Sequence, residues 1–189
     1  PATCRGHPRS LLSKLTVAEA RGQERASLRA RVVVPERVDK VAEVAIPAPG
    51  GPIPARLYLP ARRARPAPTL VWFPGGGWVM GSLEAADPVC RKLANETPCA
   101  VVAVEYRQAP EHRFPAAVDD CLAATEWVAD NAARLGLDPL RIAIGGASAG
   151  GNLAAVVALL VRERGGPPLV LQVLVYPATD HRARGDTSF

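Results

Sequence analysis

The chain has 189 residues, of which 48% are hydrophobic and 22% are charged, and its net charge is +5. These values are typical of one globular domain with its own core, and they exclude intrinsic disorder as the main state. The longest purely apolar run, Leu153 to Val161, is about half as long as a membrane-spanning helix requires. The first twenty residues contain no apolar signal region.

The positive charge is concentrated in residues 1–65, which contain thirteen basic and five acidic residues. A nucleic-acid-binding element would combine such charge with aromatic side chains, but Tyr58 is the one aromatic residue there. We therefore interpret this segment as solvated surface. The four cysteines have neither the spacing nor the histidine neighbours of a zinc site, which predicts a protein without a metal in a reduced, cytoplasmic setting.

The first predicted element is a short polar helix from Thr16 to about Ala30, opened by a capping box of Thr16 and Glu19. Two strands follow, at Val38–Ile46 and Ile53–Leu59. The segment between them is rich in proline and glycine, which is typical of a hairpin turn.

After Ala67 the sequence alternates between strands and helices. The predicted strands are nearly continuous apolar runs, as in strands covered on both faces: Thr69–Phe73, Cys99–Glu105, Leu140–Ile144 and Leu169–Val175. The predicted helices are Asp87–Thr97, Ala116–Leu135 and Ala149–Arg164. This alternation predicts an α/β fold, with a mostly parallel sheet and helices on both faces.

Two of these helices differ in pattern. Apolar residues of the second recur at steps of three and four, which predicts a buried face that lies opposite the charged side chains Asp119, Asp120, Asp130 and Arg134. The third helix is apolar nearly all round and is expected to be buried.

A glycine-rich turn leads from the Leu140–Ile144 strand into the third helix. It contains the pattern Gly146-x-Ser148-x-Gly150, which is that of a nucleophile elbow. Such a turn projects a serine hydroxyl from the sheet, and its glycines allow strand and helix to approach closely. Ser148 would also lie at a helix N-terminus, where free N–H groups favour developing negative charge. The sequence therefore predicts Ser148 as a catalytic nucleophile.

A second turn, Gly75-Gly76-Gly77, follows the Thr69–Phe73 strand. Acyl transfer needs two or three N–H donors aimed at one oxygen, and glycines leave the backbone free to provide them. We expect Gly76 and Gly77, together with Ala149, to form this oxyanion hole. A phosphate-binding loop is the alternative, but neither turn has the spacing of a nucleotide-binding motif.

With these two turns, the stretch Tyr106-Arg107-Gln108-Ala109-Pro110-Glu111 and the run Gly150 to Ala154, the chain resembles the hormone-sensitive-lipase-like carboxylesterases of the α/β-hydrolase-3 type. The resemblance extends from about Val38 to the end of the chain. It implies an α/β-hydrolase fold with Ser148 as nucleophile and residues 75–77 as the glycines of the family's His-Gly-Gly-Gly loop. The stretch that starts at Tyr106 matches a structural corner, in which Arg107 and Glu111 would satisfy buried loop groups.

The sequence departs from this family at three points. Pro74 replaces the loop histidine, which leaves the orientation of the loop open, and Ala147 replaces an aspartate of the elbow, with the loss of a local hydrogen bond. The family's acid and base follow the nucleophile on two further strands. Here Asp180, His181 and Asp186 read as a solvated loop, and His7 and His112 as structural residues. The sequence is thus interpreted as an esterase core without its last strands, whose triad Asp and His lie outside the chain.

The resemblance implies a serine carboxylesterase acting on short or medium acyl esters, with no cofactor and no nucleic-acid partner. Residues 1–36 match an N-terminal cap segment, and residues 37–189 match a partial hydrolase core. The 189 residues alone are expected to be inactive. The alternative is a non-catalytic hydrolase-like protein that binds a small ligand or a partner, and the sequence leaves the oligomeric state open.

Overall fold

The computed structural model describes residues 14–30 and 34–180. The chain divides into two compact units, residues 1–34 and 35–189. The first unit contains α1 (Val17–Ala30), which has no buried residue. Thr16 and Glu19 form the predicted capping box, because the Glu19 backbone N–H donates to Thr16 Oγ1 at 3.3 Å and the Thr16 N–H donates to Glu19 Oε2 at 2.7 Å.

The second unit is built on a six-stranded sheet of order β1-β2-β4-β3-β5-β6. The first two strands pair antiparallel, β2 is antiparallel to β4, and the remaining neighbours are parallel. The strands are β1 (Lys40–Ile46), β2 (Ile53–Leu59), β3 (Ala67–Phe73), β4 (Ala100–Val104), β5 (Leu137–Ala147) and β6 (Leu169–Val175). The predicted hairpin, the alternation and the mostly parallel sheet are confirmed.

Helices cover both faces of this sheet, as predicted. The helix α2 (Leu83–Glu96) packs on one face, through side chains such as Leu83 and Cys90. The other face carries α3 (Ala116–Asp130), α4 (Ala132–Leu135) and α5 (Ala149–Arg164). Strand residues alternate between the two cores, so that Val71 and Phe73 face α3 and α5 whereas Leu70 and Trp72 face α2. No helix of the described ranges is long and apolar enough to cross a bilayer.

Two predicted helices differ from the structure, one in its continuity and one in its start. The second predicted helix is interrupted at Asn131, whose side chain donates to the Trp127 carbonyl oxygen at 2.9 Å and competes with the helical pattern. The first begins at Leu83, four residues early, because the hydroxyl of Ser82 caps the backbone N–H of Ala85 at 3.1 Å. Several strands also differ from prediction by one to three residues at one or both ends.

The prediction that Asp120 faces solvent is also wrong, because this residue is 1% exposed. Its carboxylate accepts the backbone N–H of Arg107 at 2.9 Å and the guanidinium of the same residue at 2.8 Å. The pair therefore attaches the segment after β4 to α3. Arg107 therefore has the structural role expected of it. Its acceptor is Asp120, which the helical periodicity of the sequence predicts to be at the surface.

We expect Asp120→Ala to lower the free energy of unfolding by about 2–3 kcal/mol, because it leaves a partly buried backbone N–H and a partly buried guanidinium without their acceptor. Urea titration of the protein checks this. The matched control is Asp119→Ala, one residue away but exposed, for which we expect a change within about 0.5 kcal/mol. Equal effects of the two substitutions would contradict the structural role of the pair.

Candidate active site

The two glycine-rich turns leave neighbouring strands at the same edge of the sheet. Strands β3 and β5 are adjacent and parallel, and Phe73 pairs with Gly146 at their carboxyl ends. The turn that follows β3 therefore emerges beside the turn that follows β5. This is the edge at which open α/β sheets bind their ligands.

Ser148 occupies a strained turn between β5 and α5. Its φ of 53° and ψ of −116° lie outside the regions that side chains other than glycine usually adopt. Although it is the N-cap residue of α5, its side chain makes no capping hydrogen bond. Its hydroxyl group has no hydrogen-bond partner among the described residues. The strained backbone thus holds a hydroxyl that the fold itself does not use.

The glycines around Ser148 have no space for a side chain. A Cβ on Gly150 would overlap the carbonyl oxygen of Phe73 and lie 2.7 Å from that of Pro74. A Cβ on Gly146 would overlap Gly150 and lie 2.5 Å from the same Phe73 oxygen. These distances are far below van der Waals contact, so strand, elbow and helix pack backbone against backbone, as the glycine pattern predicted.

The glycine loop lies directly against the elbow. A Cβ on Gly75 would be 2.7 Å from the carbonyl oxygen of Ala147 and 3.4 Å from the Cβ of Ser148. Beyond it, Gly76 and Gly77 have positive φ angles of 142° and 63°. Within the described part of the chain, the backbone N–H groups of Gly76, Gly77 and Ala149 donate to no protein acceptor. The residues predicted for the oxyanion hole therefore retain free donors on the turns that flank Ser148.

Three hydrogen bonds that sequence analysis missed restrain the glycine loop. The hydroxyl of Tyr106 donates to the carbonyl oxygen of Pro74 at 2.7 Å. The side-chain amide of Gln108 donates to the carbonyl oxygens of Met80 and Gly81 at 2.9 and 2.8 Å. The loop that begins at Pro74 is thus attached at both of its ends. Only the motif around these two residues pointed to this stretch, and it did not indicate which loop they contact.

The elbow is also held from the side of β6. The N–H of Ser148 donates to the Val175 carbonyl oxygen at 2.9 Å, and the carbonyl oxygen of Ser148 accepts the N–H of Ala178 at 3.1 Å. The side chain of Asn152, one turn into α5, donates to the carbonyl oxygen of Ala178 at 2.9 Å. The end of β6 and the segment that follows it therefore stabilise the elbow through these hydrogen bonds.

No acid–base pair accompanies Ser148 in the described ranges. His112 is exposed in the loop after β4, where its backbone N–H donates to the Gln108 carbonyl oxygen at 2.9 Å. Asp180 is exposed as well, whereas His7, His181 and Asp186 lie outside the described residues. Among the described residues no cluster of His, Cys, Asp or Glu could hold a metal ion.

Comparison with known proteins identifies the class. A family model described as "alpha/beta hydrolase fold", that of the α/β-hydrolase-3 family, matches residues 70–188. The chain is 53% identical over 127 residues to a carboxylesterase of Mycobacterium tuberculosis, NlhH, covering 67% of this chain and 40% of that protein. It is 41% identical over 136 residues to an arylesterase of Saccharolobus solfataricus, covering 72% of this chain and 44% of that protein.

Solved structures agree with the sequence relatives. An esterase of Pyrobaculum calidifontis superposes with a TM-score of 0.82 at 49% identity, over 87% of this chain and 54% of that one. The carboxylesterase EstE1, cloned from a metagenomic library, superposes with a TM-score of 0.84 at 44% identity, over 90% of this chain and 58% of that one. The chain thus belongs to the hormone-sensitive-lipase-like α/β-hydrolases. It spans about half the length, or less, of these relatives.

Proposed function

We propose that the full-length protein hydrolyses carboxylic esters through an acyl-enzyme on Ser148. The observation that carries the proposal is the strained elbow. It presents a hydroxyl group next to three backbone N–H groups, and none of these four groups has a hydrogen-bond partner among residues 14–30 and 34–180. The carboxylesterase and esterase names of the relatives support the reaction class.

In the proposed reaction, Ser148 Oγ attacks the ester carbonyl carbon and a base takes the hydroxyl proton. The carbonyl oxygen becomes an oxyanion, which accepts hydrogen bonds from the N–H groups of Gly76, Gly77 and Ala149. Collapse of this intermediate breaks the ester C–O bond, and the base returns the proton to the leaving alcohol. Water then attacks the acyl group in the same way and releases the acid.

Three further glycines support this site in the proposed reaction. Gly75, Gly146 and Gly150 allow the loop, the elbow and the helix to meet at backbone distance. The base and its carboxylate partner are assigned to residues outside the 189, so this chain alone would have little activity. Residues 1–36 are assigned to a cap segment and residues 37–189 to the hydrolase core.

Stoichiometric labelling of the full-length protein with an organophosphate tests this function. We expect one label per chain on the peptide that contains Ser148, because a strained serine beside an oxyanion hole reacts far faster than a surface serine. Ser148→Ala should remove the label, whereas Ser27→Ala, a change at an exposed helical serine, should leave it. Labelling that survives Ser148→Ala would overturn the assignment. Ligand binding without any labelling would favour the non-catalytic alternative.

A further inference from the structure

The segment that follows β4 clamps the glycine loop. Tyr106 is 3% exposed, and its hydroxyl holds the loop where β3 ends, through the carbonyl oxygen of Pro74. Gln108 holds the far end of the same loop through the carbonyl oxygens of Met80 and Gly81. The N–H of Ala109 adds a bond to the Trp78 carbonyl oxygen at 2.9 Å. Four carbonyl groups of residues 74–81 are therefore fixed from one short segment.

The clamp has geometric consequences for the two glycines between its attachment points. The loop closes on itself, because the N–H groups of Val79 and Met80 both donate to the Gly76 carbonyl oxygen, at 3.1 and 2.9 Å. Fixing Met80 therefore also fixes the peptide plane that joins Gly76 to Gly77, and with it the direction of the Gly77 N–H. A glycine-rich loop without such restraints would be free to rotate these planes.

From this geometry we infer that Gln108, together with Tyr106, is a positioning residue for the oxyanion hole. The inference rests on the proposed function, and it assigns to these two side chains the orientation of the N–H groups that bind the oxyanion. Both side chains act as donors at ordinary pH. The amide of Gln108 does not titrate, and burial raises the pKa of Tyr106, which keeps its hydroxyl protonated.

The test compares Gln108→Ala and Gln108→Glu with Asn131→Ala in the full-length protein. The glutamate variant keeps the size of the side chain but replaces its donor with an acceptor that faces two carbonyl oxygens. Asn131, which lies between α3 and α4, is the matched control, because its side-chain amide also donates to a backbone carbonyl oxygen, that of Trp127. Tyr106→Phe removes the other end of the clamp with little change in shape.

The measurements are kcat per active site and KM for p-nitrophenyl acetate, with active sites counted by organophosphate titration. The inhibition constant of a trifluoromethyl ketone, which forms an oxyanion when serine adds to it, is measured alongside. For both Gln108 variants we expect kcat to fall about 10- to 100-fold with KM nearly unchanged, and the inhibition constant to rise by a similar factor. We expect a smaller fall for Tyr106→Phe, and Asn131→Ala should change stability only.

Counting active sites separates positioning from folding, since a merely structural role would reduce the number of sites and leave kcat per site unchanged. A kcat per site within about twofold of the unaltered protein in both Gln108 variants would overturn the inference. Failure of the proposed function would be seen separately, as an absence of Ser148 labelling in the unaltered protein.

Discussion

Replacing Ser148 with alanine is expected to lower kcat for ester hydrolysis by about 10⁴-fold or more in the full-length protein, since the oxyanion hole alone retains only a small part of the rate enhancement. The same substitution should leave the melting temperature almost unchanged. The Ser148 hydroxyl has no hydrogen-bond partner among the described residues, and alanine has the same backbone preferences in this turn. Initial rates and a thermal melt measure the two quantities.

Ser148→Gly provides a sharper control for the strain at the elbow. It removes the same hydroxyl, but it also relaxes a backbone whose φ of 53° and ψ of −116° are unfavourable for any side chain. We expect an inactive protein that is more stable than Ser148→Ala by about 1 kcal/mol. Equal stability of the two variants would contradict the strain, and activity in either variant would contradict the role of Ser148.

Gly150→Ala is expected to have the largest effect on folding. The added methyl group would overlap the Phe73 carbonyl oxygen and approach that of Pro74. Both oxygens are backbone atoms at the carboxyl end of β3. Backbone atoms cannot rotate away as a side chain can, so strand and helix would have to separate. We expect a loss of at least about 3 kcal/mol in the free energy of unfolding, with loss of activity, because the elbow and the glycine loop would move apart.

The matched control is Gly22→Ala, where a new Cβ meets nothing within 4 Å and the residue is inside α1. Alanine favours helix, so this change is expected to be neutral or to stabilise the helix by up to about 1 kcal/mol. Urea titration and initial rates of both variants check the pair. A Gly150→Ala protein as stable and active as the control would show that the close packing of the elbow is not required.

Local sequence patterns predicted the parts of the site that depend on neighbouring residues. The spacing of Gly146, Ser148 and Gly150 between an apolar strand and an apolar helix specifies a strained turn, and the structure has one. The two turns follow strands that the sequence predicts to be buried and parallel, and the carboxyl ends of parallel strands lie at one edge of a sheet. These predictions need only short-range chemistry and the topology of an alternating chain.

The contacts that hold the site were not predictable in this way. Gln108 is separated from the carbonyl groups that it fixes by 27 and 28 residues of sequence. Likewise, Asp120 lies on the polar side of a helical pattern, yet it is buried because Arg107 from another element supplies its donors. Periodicity reports which residues share a helix face, but it does not report a charged partner brought there by the fold.

Acid quenching of the full-length protein during hydrolysis of p-nitrophenyl acetate tests most directly whether Ser148 carries the acyl group during turnover. Mass spectrometry of the digested protein is predicted to show one acetyl group on the peptide that contains Ser148, formed within the first turnover and lost as the substrate is exhausted. An acetyl group on a different residue, or steady turnover with no acylated peptide at any time, would contradict the account.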